Sequence, residues 1–451
     1  MIEITDVEKA SDDSGLLGGY ELDEPRPGDT RSFHELTVSG WVTGHAEAAA
    51  AVEVRSADAV TGRSLGKSPV GFERADVARA FPHLPAAAKS GFETGVSLLG
   101  LPPEFELNVI AWFGERRPAK IAVVRGRRTP ISTDFDPTLQ PLLVTSLGRS
   151  GSTWLMGLLS EHPDIVSYRP LEYESRVAAS WMQVAHSLTS PGRYLRPVTG
   201  TDLHEWHWWL ADGPVPERPG DPGLEEFLSG DNVGAIVRFA QGRIDDFYRR
   251  VAALQRRSSP RYFAEKFMPD LAAAVTAEVY PNYREILLVR DVRDVICSIH
   301  AFNAKRGYPA FGRELATSDE EHLRGPMRDS AAALLESWRR RGDRAIVVRY
   351  EDLVRDPHAL LGQTLEFLEL DASDDTLRRM SAAVARAELL IPELSFHRTT
   401  AEATASIGRW KRDLSQALRT LCEETLAEFL ETFGYEVEES PSGIETTSPV
   451  R

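Results

Sequence analysis

The stretch Pro141-Leu-Leu-Val-Thr-Ser-Leu-Gly-Arg-Ser-Gly-Ser-Thr-Trp-Leu155 joins an apolar run, a loop of small residues and a second apolar run with helical spacing. Small residues let backbone N–H groups surround an oxyanion, and the N-terminus of a helix directs positive charge to the same point. Arg149, Ser150, Ser152 and Thr153 add a cation and hydroxyl donors. The stretch therefore predicts a phosphate-binding loop between a buried strand and a helix. A tight turn capped by Ser152 or Thr153 is the alternative.

Outward from this loop, residues 139–437 alternate apolar, strand-length runs with segments of helical period. The runs at 141–146, 284–290 and 345–350 are typical of strands buried on both faces of a parallel sheet. The pattern predicts a P-loop-like α/β domain in which a parallel sheet lies between two layers of helices. A nucleoside-triphosphate loop would place lysine after its last glycine, whereas serine follows Gly151, so ATP hydrolysis is disfavoured.

The residues before this domain show a shorter, period-2 pattern. Residues 31–126 contain strand-length runs separated by Gly, Pro and charged turns, which predicts a small all-β sandwich as an accessory domain. Trp41 and Phe92 lie within apolar strand patterns and are expected in its core rather than on a ligand platform. Residues 127–138 are polar and lack periodicity, which indicates a linker.

Three further segments fall outside the regular patterns. Residues 1–30 hold nine acidic residues against Lys9 and Arg26, which predicts an acidic disordered tail. Residues 438–451 predict a second disordered tail. Residues 189–234 are rich in proline, glycine and tryptophan and are too long for a simple connector, so we expect a lid or acceptor-binding insertion.

Composition limits the partners and the compartment. Lys and Arg total 52 against 68 Asp and Glu, and the net charge of −16 argues against nucleic acid and anionic membrane partners. No apolar run reaches the about 18 residues of a membrane helix, and the acidic start is unlike a signal peptide, which predicts a cytoplasmic protein without a membrane span.

Cys297 and Cys422 are too few for a disulfide framework or a zinc site and are expected to be buried thiols. The sequence does not indicate the oligomeric state.

Three more motifs follow the phosphate loop along the chain. Arg290 ends an apolar strand and Ser298 lies in the next predicted helix, so a cation and a hydroxyl together can hold a phosphate. Pairing of Arg290 with Asp291 or Asp294 is the alternative. Further on come the strand end Val347-Val-Arg-Tyr-Glu-Asp-Leu353 and the run Gly408-Arg-Trp-Lys411, in which glycine permits close backbone approach and two cations supply charge.

These four motifs, in this order, resemble those of sulfotransferases that use 3′-phosphoadenosine 5′-phosphosulfate (PAPS), in particular bacterial, carbohydrate-type members. The resemblance covers about residues 139–435 and implies the sulfotransferase fold, PAPS as donor, 3′,5′-adenosine bisphosphate (PAP) as product and no required metal. The residues from about 36 to 92 look like a small β module found beside bacterial carbohydrate-modifying transferases. The nucleotide-binding residues that the resemblance implies are Arg149, Ser150, Gly151, Ser152, Thr153 and Trp154 for the 5′-phosphosulfate, Arg290 and Ser298 for the 3′-phosphate, Tyr350 beside the adenine, and Gly408, Arg409, Trp410 and Lys411 in a closing loop.

The resemblance also implies the catalytic residues. Cytosolic-type members place a histidine base two residues after the lysine that matches Lys266, but Met268 stands there. Carbohydrate-type members use a glutamate in a P-x-E-F pattern after the phosphate loop, which Glu172 matches best, with Glu174 in reserve. Arg149 stands where many members have a loop lysine. Because arginine is not deprotonated in proteins, Arg149 is expected to hold the sulfuryl oxygens, and Lys266 is the candidate for any proton transfer to the leaving phosphate.

The predicted insertion supplies the candidate acceptor site. His204, Trp206, Trp208 and Trp209 concentrate aromatic faces that stack on sugar or aryl rings, or that form the insertion's own core. His204 and His207 have a spacing seen in metal ligands, but no third ligand is well placed, so no metal site is predicted.

Together these features predict a sulfotransferase that transfers a sulfuryl group from PAPS to a hydroxyl of a carbohydrate, glycolipid or related metabolite, with a carboxylate base. A nucleotide kinase of the same broad fold is opposed by the missing loop lysine. A catalytically silent PAP-binding protein that presents a glycan- or protein-binding β module is the remaining alternative.

Overall fold

The computed structural model describes residues 1–11, 14–31, 34–57, 64–114, 117–189, 227–390, 399–400 and 402–437. Its strands are β1 (Ile2–Lys9), β2 (Leu17–Glu24), β3 (Thr30–Arg31), β4 (Glu35–Gly44), β5 (Ala51–Ser56), β6 (Ser64–Pro69), β7 (Gly91–Ser97), β8 (Glu104–Phe113), β9 (Arg117–Arg128), β10 (Gln140–Ser146), β11 (Ile165–Ser167), β12 (Tyr262–Phe267), β13 (Arg284–Val289) and β14 (Ala345–Arg349). Its helices are α1 (Ala75–Ala80), α2 (Ser152–Leu159), α3 (Val177–Thr189), α4 (Asn232–Leu254), α5 (Leu271–Val279), α6 (Val292–Arg306), α7 (Asp319–His322), α8 (Arg328–Arg341), α9 (Tyr350–Arg355), α10 (Pro357–Phe367), α11 (Asp374–Leu390), α12 (Trp410–Asp413) and α13 (Gln416–Thr432).

These elements form two compact units. The first consists of Met1–Pro141, Ser175–Phe263 and Asp270–Tyr283, and the second of Leu142–Glu174, Ala264–Pro269 and Arg284–Arg451. The first unit therefore combines the N-terminal strands with helices α3 to α5. Its boundary differs from the prediction, which placed the division between domains at the linker 127–138.

The first unit contains the predicted β-sandwich. Its antiparallel sheets have the strand orders β3-β1-β9-β8-β5-β6 and β2-β4-β7. One buried core joins them, with Val54 and Val109 from the larger sheet and Val38 from the smaller. Trp41 and Phe92 are buried, as the strand patterns predict.

The N-terminal segment differs from the predicted acidic tail, because β1, β2 and β3 all belong to these sheets. In β1 the side chains of Ile2 and Ile4 enter the core and Val7 packs against it, because a register shift between Ile4 and Asp6 reverses which positions face inward. Asp6 and Glu8 therefore lie on the exposed face. There Arg125 of β9 donates to Asp6 and Glu8 at 2.8 and 2.9 Å, which offsets the repulsion between the carboxylates. The prediction of a disordered tail is wrong for these strands.

The polar run that predicts a linker contains a buried ion pair. Arg128, the last residue of β9, donates from both terminal nitrogens to the Glu278 carboxylate of α5, at 2.8 and 2.5 Å. The same carboxylate accepts the backbone N–H groups of Gly100 at 2.9 Å and Ile131 at 2.7 Å. The side chains of Arg128 and Glu278 are only 2% and 6% exposed, so this part of the predicted linker is packed structure.

The second unit is built on a five-stranded sheet of order β11-β12-β10-β13-β14, in which β10 pairs with β13, and β13 with β14, in parallel. Leu287 and Val289 of β13 pack in a buried cluster with apolar residues of α6, α8 and α13. The predicted α/β class is confirmed. Because these strands are parallel, the segments that follow β10, β13 and β14 start at one edge of the sheet.

The remaining predictions fall partly outside the described residues. Residues 190–226, which include His204, Trp206, His207, Trp208 and Trp209, are not among them, and neither are 438–451. The described ends of the predicted insertion are helical, because Thr189 ends α3 and Asn232 begins α4. Cys297 and Cys422 are both buried free thiols, as expected.

Candidate active site

The loop between β10 and α2 turns sharply through two residues in the left-handed region. Arg149 and Gly151 both have left-handed backbones, with φ of 69° and 91°. Gly151 is the residue that precedes the first turn of α2, and not Ser152 or Thr153 as in the alternative interpretation. A Cβ atom on Gly151 would lie 2.5 Å from Cδ2 of Tyr350, so both the φ angle and the close approach of this ring require glycine.

Arg290 connects the phosphate loop to residues 406–411, which are called the C-terminal motif below. Its Nη1 donates to the carbonyl oxygen of Arg149 at 2.9 Å and its Nη2 to that of Ser406 at 2.8 Å. The guanidinium also lies 4.5 Å from the ring centroid of Tyr350. The alternative pairing does not occur: Asp291 binds Arg293, and the carboxylate of Asp294 accepts two backbone N–H groups. Three of the four motifs therefore converge on one side chain.

Arg149 lies between the phosphate loop and helix α6. Its Nε donates to Oγ of Ser298 at 3.3 Å, and its guanidinium lies 4.1 Å from the ring centroid of Phe302. Burial, with a smaller contribution from the charge of Arg290, lowers the pKa of Arg149 to about 10. The side chain therefore remains a cation at neutral pH, as the role predicted for it requires.

Lys266 brings the predicted catalytic segment to the phosphate-loop helix. Its buried Nζ donates to Oγ1 of Thr153 at 2.8 Å, to the backbone oxygen of Glu172 at 2.7 Å and to Oε1 of Glu174 at 3.0 Å. The Glu172 carboxylate attracts the Arg149 guanidinium electrostatically and so opposes part of the lowering of the Arg149 pKa. Glu174 is thus an ion-pair partner of Lys266, whereas the charge of Glu172 acts on the loop cation.

The backbone around Glu172 is strained. Leu171, Glu172 and Tyr173 are three consecutive non-glycine residues with φ between 52° and 67°. A left-handed conformation costs about 1–2 kcal/mol for each such residue. Strain of this kind persists where the surrounding structure holds it and concentrates at functional sites.

The C-terminal motif lies against the same edge. Gly408 and Trp410 are anchored by Asp294, and Tyr350 Oη lies 3.0 Å from Ser406 Oγ. Trp410 is buried, and the guanidinium of Arg293 lies 3.8 Å from its ring centroid, so its side chain supports the loop from within the core. The Trp154 ring lies edge-on to that of Tyr350, with 6.5 Å between centroids.

The remaining cations of this motif differ in setting. Arg409 is largely buried and donates to Asp413 at 2.7 Å and to Thr399 at 3.1 Å. Lys411 is exposed, and its Nζ lies 5.3 Å from the ring centroid of Trp410. Sequence reasoning missed the contributions of Asp294 and Ser406, whose partners lie in distant segments of the chain.

The surroundings of Arg290 fit an anionic ligand. The buried Nε of Arg290 has no hydrogen-bond partner within the described part of the chain, and a buried guanidinium donor favours an anionic acceptor. Within the described ranges, no group of three or more His, Cys, Asp or Glu side chains could hold a metal ion. None of the described helices has the length and apolar character needed to cross a membrane.

Residues 141–375, more than half of the chain, match the family model described as the Sulfotransferase family. The chain belongs to this family. A Caenorhabditis briggsae relative named "Putative protein-tyrosine sulfotransferase" is 24% identical over 303 residues, which cover 67% of this sulfotransferase and 91% of the relative.

Solved sulfotransferase structures are also similar. The sulfotransferase domain of the Synechococcus PCC 7002 olefin synthase is 21% identical, with 68% of this chain and 99% of that chain covered at a TM-score of 0.39. A mouse sulfotransferase complexed with PAP is 13% identical, with 65% and 85% covered at a TM-score of 0.35. The predicted enzyme class is confirmed by the family match: the chain is a sulfotransferase, and this family generally uses PAPS.

We expect Gly151→Ala to destabilise this sulfotransferase by about 2 kcal/mol or more, because the new Cβ enters the Tyr350 ring and the left-handed backbone disfavours alanine. Gly242→Ala is the matched control, since Gly242 lies inside α4 and its new Cβ would have no neighbour within 4 Å among the described residues. The control should gain roughly 0.5–1 kcal/mol from better helix propensity. Thermal unfolding of both variants tests this, and an unchanged melting temperature for Gly151→Ala would contradict the geometry.

Proposed function

We propose that this enzyme transfers the sulfuryl group of PAPS to a hydroxyl of a carbohydrate, glycolipid or related metabolite, with Glu172 as the general base. The observation that carries the proposal is the position of Arg290, which bridges the phosphate loop and the C-terminal motif through two carbonyl oxygens. Its buried Nε then remains as a donor for the 3′-phosphate. ATP lacks a 3′-phosphate, so this arrangement favours PAP and PAPS over ATP.

The donor supplies an activated sulfuryl group, and the side chains of the chain position it. In the proposal, the 148–154 loop and Arg149 hold the phosphosulfate oxygens, Arg290 and Ser298 hold the 3′-phosphate, and Tyr350 lies beside the adenine. Residues 408–411 complete the site. Positioned cations and backbone dipoles of this kind stabilise charge that moves during the transfer without further reorganisation.

Glu172 is proposed to take the acceptor proton. As the acceptor oxygen forms its bond to sulfur, the bond from sulfur to the phosphate oxygen breaks, and the hydroxyl proton passes to the Glu172 carboxylate. Lys266 holds Glu172 by its backbone oxygen and Glu174 by its carboxylate, so its role is to fix this segment against α2. Its ammonium can also neutralise the leaving phosphate oxygen.

The acceptor site is proposed to lie in the insertion at residues 189–234. His204, Trp206, Trp208 and Trp209 are proposed to bind it, and the β-sandwich is proposed to present it or to serve as structural support. The curated relative's name refers to protein tyrosine, so an acceptor screen should include sugars, aryl alcohols and tyrosyl peptides. Tight PAP binding without turnover of any acceptor would favour the silent binding protein. A cytoplasmic location stays a prediction from the sequence.

Isothermal titration with PAP and ATP tests the donor site. We expect PAP to bind, ATP to give no detectable binding, and Arg290→Ala to weaken PAP by about 10- to 100-fold through the loss of charge-assisted hydrogen bonds. Arg284→Ala is the matched control, because Arg284 begins the same strand and donates to Glu369 at 3.4 Å. Equal affinities for PAP and ATP, or equal losses for the two variants, would contradict the assignment.

A further inference from the structure

Asp294 is a buried carboxylate that sequence reasoning treats only as a possible ion-pair partner. It lies on α6 between Arg290 and Ser298, and its side chain is fully buried. Its Oδ2 accepts the backbone N–H of Gly408 at 2.6 Å and its Oδ1 that of Trp410 at 2.9 Å. Each oxygen of one carboxylate thus holds one peptide group of the C-terminal motif.

The two bonds fix the backbone on both sides of Arg409. Gly408 has a left-handed φ of 67°, and α12 starts at Trp410. Two residues before Gly408, the carbonyl oxygen of Ser406 accepts from Arg290. Residues 406, 408 and 410 are therefore each held by the short segment 290–294, which also leads to Ser298 on the next turn of α6.

A buried carboxylate at this position costs free energy unless hydrogen bonds stabilise its negative charge. Burial raises the pKa of Asp294 to about 6, and the N–H bonds from Trp410 and Gly408, with the charge of Arg290, oppose that rise. A carboxylate near a phosphate site also repels the phosphate. The N–H bonds offset both costs because they direct two peptide dipoles at the carboxylate.

We propose that Asp294 is a positioning residue that holds residues 408–411 against the 3′-phosphate site before the nucleotide binds. The inference rests on the proposed function, because it assigns the 3′-phosphate to Arg290 and Ser298. A loop that is ordered before binding removes the entropic cost of ordering it from the binding free energy. Only ligands that contact the loop bind more tightly for this reason. Loss of Asp294 should therefore weaken nucleotides that carry a 3′-phosphate and spare those that lack one.

The test compares PAP with 5′-AMP, which lacks the 3′-phosphate, on the wild type and on Asp294→Asn. Asparagine keeps the shape but places an NH₂ group against one of the two N–H donors. We expect the affinity for PAP to fall by about 10-fold or more, and that for 5′-AMP to change by less than about 2-fold, as the loss of one charge-assisted bond implies.

Glu285→Gln is the matched control. Glu285 is a buried carboxylate of β13 that accepts from Thr145 at 2.5 Å and Arg341 at 2.7 Å, and no nucleotide motif contains it. Its replacement should lower the melting temperature and leave the ratio of the PAP and 5′-AMP affinities unchanged. This control separates loss of stability from loss of loop position.

The outcomes distinguish the inference from the function on which it rests. A wild type that does not bind PAP overturns the proposed function and the inference with it. A wild type that binds PAP, together with equal losses of PAP and 5′-AMP in Asp294→Asn, overturns only the inference. If Asp294→Asn does not fold, amide hydrogen exchange of the unmodified protein decides, because fast exchange of the Gly408 and Trp410 amides without nucleotide would overturn a preformed loop and slow exchange would support it.

Discussion

Glu172→Gln should lower kcat by about 100-fold or more while leaving PAP affinity nearly unchanged, because glutamine keeps the shape of the side chain but cannot accept the acceptor proton. The strained backbone at Leu171–Tyr173 and the electrostatic effect of Glu172 on Arg149 support this residue as the base. The measurement is steady-state kinetics with the acceptor found in the screen, together with titration of PAP.

Glu174→Gln is the matched control for this experiment. The Glu174 carboxylate accepts from Lys266 at 3.0 Å, and its replacement should have a smaller effect on kcat, because its role is to orient Lys266. If Glu172→Gln retained normal turnover while Glu174→Gln abolished it, the base would have to be reassigned to Glu174.

Glu278→Ala should destabilise the first unit by about 3–5 kcal/mol, the usual cost of leaving a buried charge without its partner. The substitution removes the acceptor of two Arg128 nitrogens and of the Gly100 and Ile131 amides at once. Urea unfolding monitored by far-ultraviolet circular dichroism measures the change.

An exposed ion pair on the same sheet provides the comparison. Glu104 and Arg127 lie 3.4 Å apart with side chains 79% and 64% exposed, so Glu104→Ala should change the stability by less than about 1 kcal/mol. A loss for Glu278→Ala no larger than that for Glu104→Ala would mean that the Arg128 pair contributes little to folding.

The parts of the fold and site that the sequence predicts depend on local pattern. The apolar strand, small-residue loop and helix around Gly151 are contiguous, so the phosphate loop and the parallel sheet follow from residues close together in the chain. Arg290, Tyr350 and Gly408 are recognised because each occurs at the end of a strand or in a short motif. Their meeting at one edge of the sheet then follows from the parallel arrangement.

The parts that the sequence does not predict depend on partners far away in the chain. The acidic residues of β1 suggest a solvated tail, because the sequence alone does not predict that Asp6 and Glu8 pair with Arg125, more than 110 residues away. Arg128 suggests a linker because Glu278 lies 150 residues later. Asp294 suggests an ion pair, whereas its partners are backbone N–H groups 114 and 116 residues away.

The Glu278 ion pair also has a consequence for synthesis of the chain. Arg128 leaves the ribosome 150 residues before Glu278, an interval of roughly 8 to 30 s at translation rates of about 5–20 residues per second. During that interval the β-sandwich carries a cation without its carboxylate partner, and two backbone N–H groups whose acceptor has not yet been made. We therefore expect the sandwich to reach its final stability only after α5 has been translated, so that chaperones encounter its incomplete surface first.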